Sequence, residues 1–378
     1  MSGDDYFIAV HGGAGYHHPN HDHRTKKALR AACTKALQNL SLKTTSSSPS
    51  RKSLSLVEQA IISLEDDPYL NAGYGSNLCL DGTVECDAAI FVAADPGHTS
   101  SNGIFGSVGA VSGIKNPISA ARSVLEYSQK QDKLGRVPPM TLVSQGAINF
   151  IQNNYSENTI VPPENMISTT AKETWTKWKN RLEMSEADNV DIDEENLIQD
   201  TEFQGKSIVL LCRSLYAEVF SGGVLLKHPG RVGEAAIFGA GCWAKHYSGG
   251  VGGMSCSVSG TGEDIIRSNL ARFIGETCTP DSDPHEILER VLVDHFWKPA
   301  VERGVSKPAA GVLMMTRETS DDSCNTDVRV WCGFTTPSMA IGFASSREPQ
   351  PKAYILRRPE GVLMKAGAPQ VYITAFRP

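Results

Sequence analysis

Long apolar runs are missing from this 378-residue chain: no stretch approaches the roughly 20 residues that a membrane-spanning helix needs. A strong excess of one charge is missing too. Lys and Arg number 36 against 42 Asp and Glu, a net charge of −6, which gives no electrostatic reason to expect nucleic acid or an anionic membrane as a partner. The nine cysteines include no Cys-x-x-Cys pair and no zinc-type Cys/His spacing, so they read as reduced thiols. That usage, with an acidic N-terminus unlike a signal or transit peptide, leads us to expect a soluble protein, cytoplasmic or nuclear. Also absent are the Walker spacing of a phosphate loop, a His-x-x-x-His helix and a Gly-x-Ser-x-Gly elbow, which disfavours nucleotide binding, zinc hydrolysis and serine hydrolysis. The His17–His23 tract is metal-like in composition, but a short His-rich stretch in a polar loop is more often solvated, and we assign no metal or cofactor.

What is present is a mixture of helical and strand patterns with glycine clusters at their ends. Phe7 to Val10 reads as a buried strand delivering a loop, His11-Gly12-Gly13-Ala14-Gly15. Val57, Ala60, Ile61 and Leu64 share a helical face, and Asp66-Asp67-Pro68 closes that helix before Asn71-Ala72-Gly73-Tyr74-Gly75-Ser76. Ala88–Ala93 and Gly106–Gly113 read as strands, Pro117–Tyr127 as a helix with Pro at its start. Ser207–Cys212 and Leu215–Phe220 read as a hairpin about Arg213-Ser214. Ser259-Gly260-Thr261-Gly262-Glu263 opens a helix with Ile266, Leu270 and Phe273 on one face, and Asp283-Pro284 caps another. Two segments fit neither pattern: the Ser-rich stretch 41–55, expected as a surface insertion, and 155–200, expected as a mobile loop that carries a polar helix near Ala171–Met184 and ends in a run of carboxylates.

That loop ends in Asp200-Thr201. A threonine hydroxyl is a poor nucleophile unless a base takes its proton, and the α-amine of an N-terminal threonine, with a pKa of about 8, is such a base. An internal threonine gains that amine only when the chain is cut before it. From the residues alone, Asp200-Thr201 reads either as such a cleavage site or as the polar end of a loop.

Several blocks occur together in order: Val10-His11-Gly12-Gly13-Ala14-Gly15-Tyr16, Asn71 to Leu78, Glu85-Cys86-Asp87-Ala88, Gly109 to Pro117, Gly135 to Pro139, Ser221-Gly222-Gly223, Leu226-Lys227-His228-Pro229-Gly230-Arg231-Val232-Gly233 and Gly241-Cys242-Trp243-Ala244. Together they resemble the asparaginase-type N-terminal-nucleophile hydrolases; Ser112 to Pro117 and Lys227 to Gly233 lean to the threonine aspartase branch. The resemblance implies an α+β fold, a four-layer αββα sandwich, in one domain spanning 1–378. It also implies self-cleavage into an α subunit, 1–200, and a β subunit, 201–378, giving an α/β heterodimer with dimerisation of that unit left open. Thr201 would be nucleophile and base, Ser221 would orient it, and Arg231 would pair with a substrate carboxylate, although Arg231 also reads as a surface ion-pair residue. Glu234 would hold a substrate amino group or start a helix, Ser259 and Gly260 would stabilise an oxyanion, and Gly12 would support the site. No cofactor is implied. The expected substrate is a peptide cleaved after aspartate, with the side-chain amide of asparagine or an isoaspartyl bond as the alternative. Residues 202–220 depart from the family pattern, since Glu202-Phe203-Gln204-Gly205 stands where Val-Gly is usual, and a non-processing scaffold of the same fold is the third reading.

Overall fold

A computed structural model describes residues 5–38, 40, 49–93, 103–154, 159–188, 206–211, 215–247, 252–319, 326–359 and 369–378. Its strands are β1 (Phe7–Gly15), β2 (Cys86–Val92), β3 (Ile104–Val111), β4 (Thr141–Val143), β5 (Lys206–Leu211), β6 (Leu215–Ser221), β7 (Cys242–His246), β8 (Gly253–Gly260), β9 (Ala310–Thr319), β10 (Thr326–Phe334), β11 (Ser338–Ser345), β12 (Lys352–Arg357) and β13 (Tyr372–Phe376). They form an eight-stranded sheet, β12-β11-β1-β5-β6-β2-β3-β4, and a five-stranded sheet, β13-β10-β9-β8-β7. Neighbours are antiparallel except β3 and β4, so sheet and helix content is of the α+β kind.

The period-2 alternation of each strand separates two cores. Phe7 and Ala9 of β1, Ala89 and Phe91 of β2, and Ala217 and Val219 of β6 share one apolar cluster with Met254, Cys256 and Val258 of β8 and Val312 and Met314 of β9. The alternate residues Ile8 and Val10, Ala88 and Ile90, and Tyr216 and Phe220 join a second cluster with α1 (Asp22–Gln38), α2 (Pro49–Glu65) and α3 (Pro117–Ser128). The β2 and β6 faces of the first sheet thus pack on β7 and β8 of the second. Further helices are α4 (Ser144–Asn154), α5 (Thr169–Asp188), α6 (Gly262–Ser268), α7 (Leu270–Thr277), α8 (Pro284–Arg290) and α9 (Lys298–Glu302), with a π-helical stretch, Val291–Trp297, joining α8 to α9.

Four expectations need correction. The glycine-rich block after Val10 is no loop: β1 runs through it to Gly15, because a register shift against β11 between His11 and Ala14 absorbs the extra residues, with Gly13 at φ +91°. The insertion ends earlier than residue 55, since Pro49 starts α2 and Ser53 and Leu54 are buried; residues 41–48 lie outside the described residues. The segment expected as a mobile loop does carry the expected helix, α5, but that helix is anchored rather than mobile: Trp175 Nε1 donates to the Cys79 carbonyl at 2.7 Å; 189–205 lie outside the described residues. The single helix expected after Gly262 is broken at Asn269, which adopts φ +47°, and its buried face is Ile265, Leu270 and Ile274, whereas Phe273 is exposed.

Candidate functional site

Strand β6 is hydrogen-bonded to β2 with Ser221 opposite Asp87, so the chain leaves the sheet at Ser221 beside a buried carboxylate. The two glycines that follow make a tight exit. Gly223 N–H donates to Ser221 Oγ at 2.9 Å. Asn71 Nδ2 donates to the Gly223 carbonyl at 2.8 Å and Asn77 Nδ2 to the same oxygen at 3.1 Å, while Asn71 Oδ1 accepts Asn77 N–H. A Cβ on Gly222 would lie 2.3 Å from Asn71 Oδ1, so only glycine permits this approach. The Asn71 loop is therefore in direct contact with the turn after Ser221.

Asp87 is the hinge of the arrangement. Its Oδ1 accepts Ala110 N–H and its Oδ2 accepts Gly233 N–H, both at 2.8 Å. Burial pushes its carboxyl up, opposed by the Lys227 ammonium and by these two amides. Ala110 holds φ +47° where β3 bulges opposite Asp87, a strained conformation that aims its N–H at the carboxylate. Lys227, buried, donates from Nζ to the Glu85 carbonyl at 2.8 Å, and Gly230 N–H donates to Glu85 Oε2 at 2.7 Å. The 227–233 segment is thereby tied to Glu85, just before β2, and to Asp87 within it.

On that segment stand Arg231 and Glu234. Arg231 donates from Nε to Glu263 Oε1 at 2.8 Å and from Nη2 to Glu263 Oε2 at 2.7 Å, a fork on one carboxylate. Glu234 is buried and starts a 3₁₀ turn, Glu234–Ala236. Burial pushes its carboxyl up to about 7, against the pull of Arg231. Both modest readings of these residues therefore occur in the structure: Arg231 is ion-paired and Glu234 begins a helical turn. The fold also brings Arg231, Glu234 and Glu263 together around Gly262.

Ser259 and Gly260 end β8, three residues from Glu263. Across the sheets, Ala14 N–H donates to Ser259 Oγ at 3.3 Å, and His11 Nε2 lies 3.1 Å from Ser257 Oγ. The bulged half of β1 thus reaches the end of β8. A Cβ on Gly12 would meet Ala340, Thr25 and Leu29, while His11 and Ala14 on either side of it reach β8. Asp200 and Thr201 lie outside the described residues. Sequence reasoning assigned no role to Asp87, Lys227 or Glu263; the available signal was a lone carboxylate inside the apolar run Cys86–Val92 and an acid following Gly262 at the start of α6. Among the described residues no group of three or more His, Cys, Asp or Glu side chains is placed to hold a metal ion, and His17 is instead buried against the Ser338 hydroxyl.

The family model described as Asparaginase matches residues 4–305. The chain belongs to the asparaginase family. Among its relatives are the plant-type L-asparaginase of Pyrococcus horikoshii, 35% identical over 58% of this chain and 64% of the relative, and that of Pyrococcus abyssi, 33% identical over 70% and 77%. The isoaspartyl peptidase/L-asparaginase of Homo sapiens is 33% identical over 57% of this chain and 60% of the relative. The chain thus spans slightly less than two thirds of the first and third of these, and the asparaginase-family match ends before β9 begins at Ala310.

Proposed function

We propose that this asparaginase-family chain is a self-processing amide hydrolase acting on the side-chain amide of asparagine or on an isoaspartyl bond, with Thr201 as nucleophile. The observation that carries this reading is the Arg231 guanidinium standing against Gly223, in the turn after Ser221, with the buried Glu234 carboxyl three residues on meeting it at Gly262. One fixed cation beside one titrating anion complements the α-carboxylate and α-ammonium of an amino-acid head group, which the interior of a protein chain lacks. The names of the relatives, L-asparaginase and isoaspartyl peptidase, point the same way.

Cleavage between Asp200 and Thr201 would free the threonine amine to act as base; Ser221 would orient the hydroxyl, and Ser259 and Gly260 would face the developing oxyanion, a donor typically contributing about 3 kcal/mol. The fold that suits this chemistry is the four-layer αββα sandwich, supported by helices on one face of the eight-stranded sheet and a second sheet on the other. The threonine aspartase branch remains a second reading, supported by the Lys227 to Gly233 block; in it a single aspartate side chain would meet Arg231 and Glu234 would have no amine to bind.

Purified chain resolved on a denaturing gel should show two fragments meeting at Asp200 and Thr201, and Thr201→Ala should leave one. The processed form should release product from L-asparagine and a β-aspartyl dipeptide and leave an aspartate-containing peptide intact. An intact chain inactive on all three overturns the hydrolase reading; cleavage of the peptide alone selects the threonine aspartase reading.

A further inference from the structure

The Arg231 guanidinium has two edges that can each hold a carboxylate. Its Nε and Nη2 edge is already filled by both oxygens of Glu263, at 2.8 and 2.7 Å. Its Nη1 makes no hydrogen bond among the described residues and lies against two glycines: a Cβ would stand 2.8 Å from it at Gly233 and 3.3 Å at Gly223. Asp87 Oδ2 stands at the same glycine but accepts Gly233 N–H, and Glu234 Oε2 stands beside Nη2 at Gly262; neither acid is hydrogen-bonded to the guanidinium among the described residues. The open edge therefore faces the turn that begins at Ser221.

From this geometry we infer that Glu263 is a positioning residue. It grips the side edge of Arg231, holds the guanidinium plane, and leaves the end edge, Nη1 with Nη2, presented to an incoming ligand carboxylate. The inference rests on the proposed role of Arg231 and deepens it. An arginine without such a grip loses rotamer freedom only when the ligand binds, which costs affinity; with it the fork is set in advance. A second carboxylate also repels the ligand's own. Glu263 is 55% exposed while the Arg231 side chain is 15% exposed, so water screens the repulsion more than it weakens the two charge-assisted bonds. The Arg231 contact in turn holds the Glu263 carboxyl below its ordinary value, so the grip persists in mildly acidic solution.

The test is calorimetric binding of L-aspartate and of its α-amide, which lacks the α-carboxylate, to the purified chain and to Glu263→Gln, Glu263→Asp, Arg231→Ala and the double variant. Glu263→Gln should weaken L-aspartate about tenfold, the size expected for loss of one charge-assisted contact, and leave the α-amide unchanged. Glu263→Asp should restore part of the loss. The double variant should bind no more weakly than Arg231→Ala, since two groups acting through one contact are not additive. Equal weakening of both ligands, or wild-type affinity in Glu263→Gln, overturns the inference. Because the readout is binding, a chain that shows the expected pattern without hydrolysing anything sinks the hydrolase reading alone. Hydrolysis of asparagine with affinity insensitive to Glu263 sinks this inference alone, and no binding of L-aspartate by the parent sinks both.

Discussion

At Arg231 and Glu234 the two charges of the candidate site differ in how firmly they are held. The guanidinium is charged at every relevant pH, whereas Glu234, pushed up by burial to about 7, gains its charge only as pH rises through neutrality. Replacing Arg231 by Ala should lower kcat/KM for L-asparagine by about 100-fold, mainly through KM, because truncating a charged partner of a desolvated pair costs several kcal/mol. For substrates with a free α-ammonium, kcat/KM should climb through about pH 7 as Glu234 ionises. Glu234→Gln should flatten that limb and cost about tenfold at pH 8, with little effect on an N-acetylated substrate; equal losses on both would remove Glu234 from amine recognition.

Strand β6 carries a feature that its apolar sequence conceals. Glu218 alternates onto the face covered by α2 and α3, is fully buried, and neither of its carboxyl oxygens has a hydrogen-bond partner among the described residues. Burial pushes its carboxyl well above its ordinary value, Glu58 adds to this, and Arg122 opposes it. Arg122 is committed elsewhere: Nη1 donates to Glu58 and Nε to Glu126 at 2.8 Å. An unsatisfied buried polar group costs about 1–3 kcal/mol, so Glu218→Met should stabilise the chain by about that much against urea. A group raised in the folded state loses its contribution as pH rises, so the advantage of the variant should widen as pH increases above 4.5, the ordinary value for Glu. A constant difference across pH would mean that Glu218 is not held neutral.

Over the whole molecule, Glu65 adds to the same trend. It accepts Ile118 N–H at the start of α3 and is pushed up to about 8, chiefly by burial. With Glu234 at about 7, these glutamates bind more protons folded than unfolded. Their stabilisation is complete below the ordinary value of 4.5 and is lost as pH rises through about 7 and 8. Glu65→Gln should therefore flatten the alkaline decline of the urea midpoint, measured on the uncut Thr201→Ala chain so that fragment dissociation does not intrude.

Much of this was legible along the chain. The hairpin flanking Arg213-Ser214, the buried face of α2 at Val57, Ala60, Ile61 and Leu64, and the Asp283 cap, whose carboxyl accepts His285 N–H, follow from local periodicity and capping, which need no distant partner. The bulge of β1 was not legible, because glycines that end a strand and glycines absorbed by a register shift read alike until β11 lies alongside. Glu218 was missed for a related reason: Leu215 to Phe220 is apolar enough to be a strand, and only α2 and α3 above it decide that the one acid is buried.

The sequence by itself determined the alternation of elements, the family resemblance, and the residue types at Ser221, Arg231, Glu234 and Ser259, since these depend on neighbours a few positions away or on motifs read whole. Tertiary structure alone decided that Asp87 ties β3 to the segment before Glu234, that Glu263 takes one edge of Arg231, and that a Cβ on Gly12 would meet Ala340. Each of those depends on which strands and loops, far apart in the chain, are brought side by side. Local pattern carries no information about that.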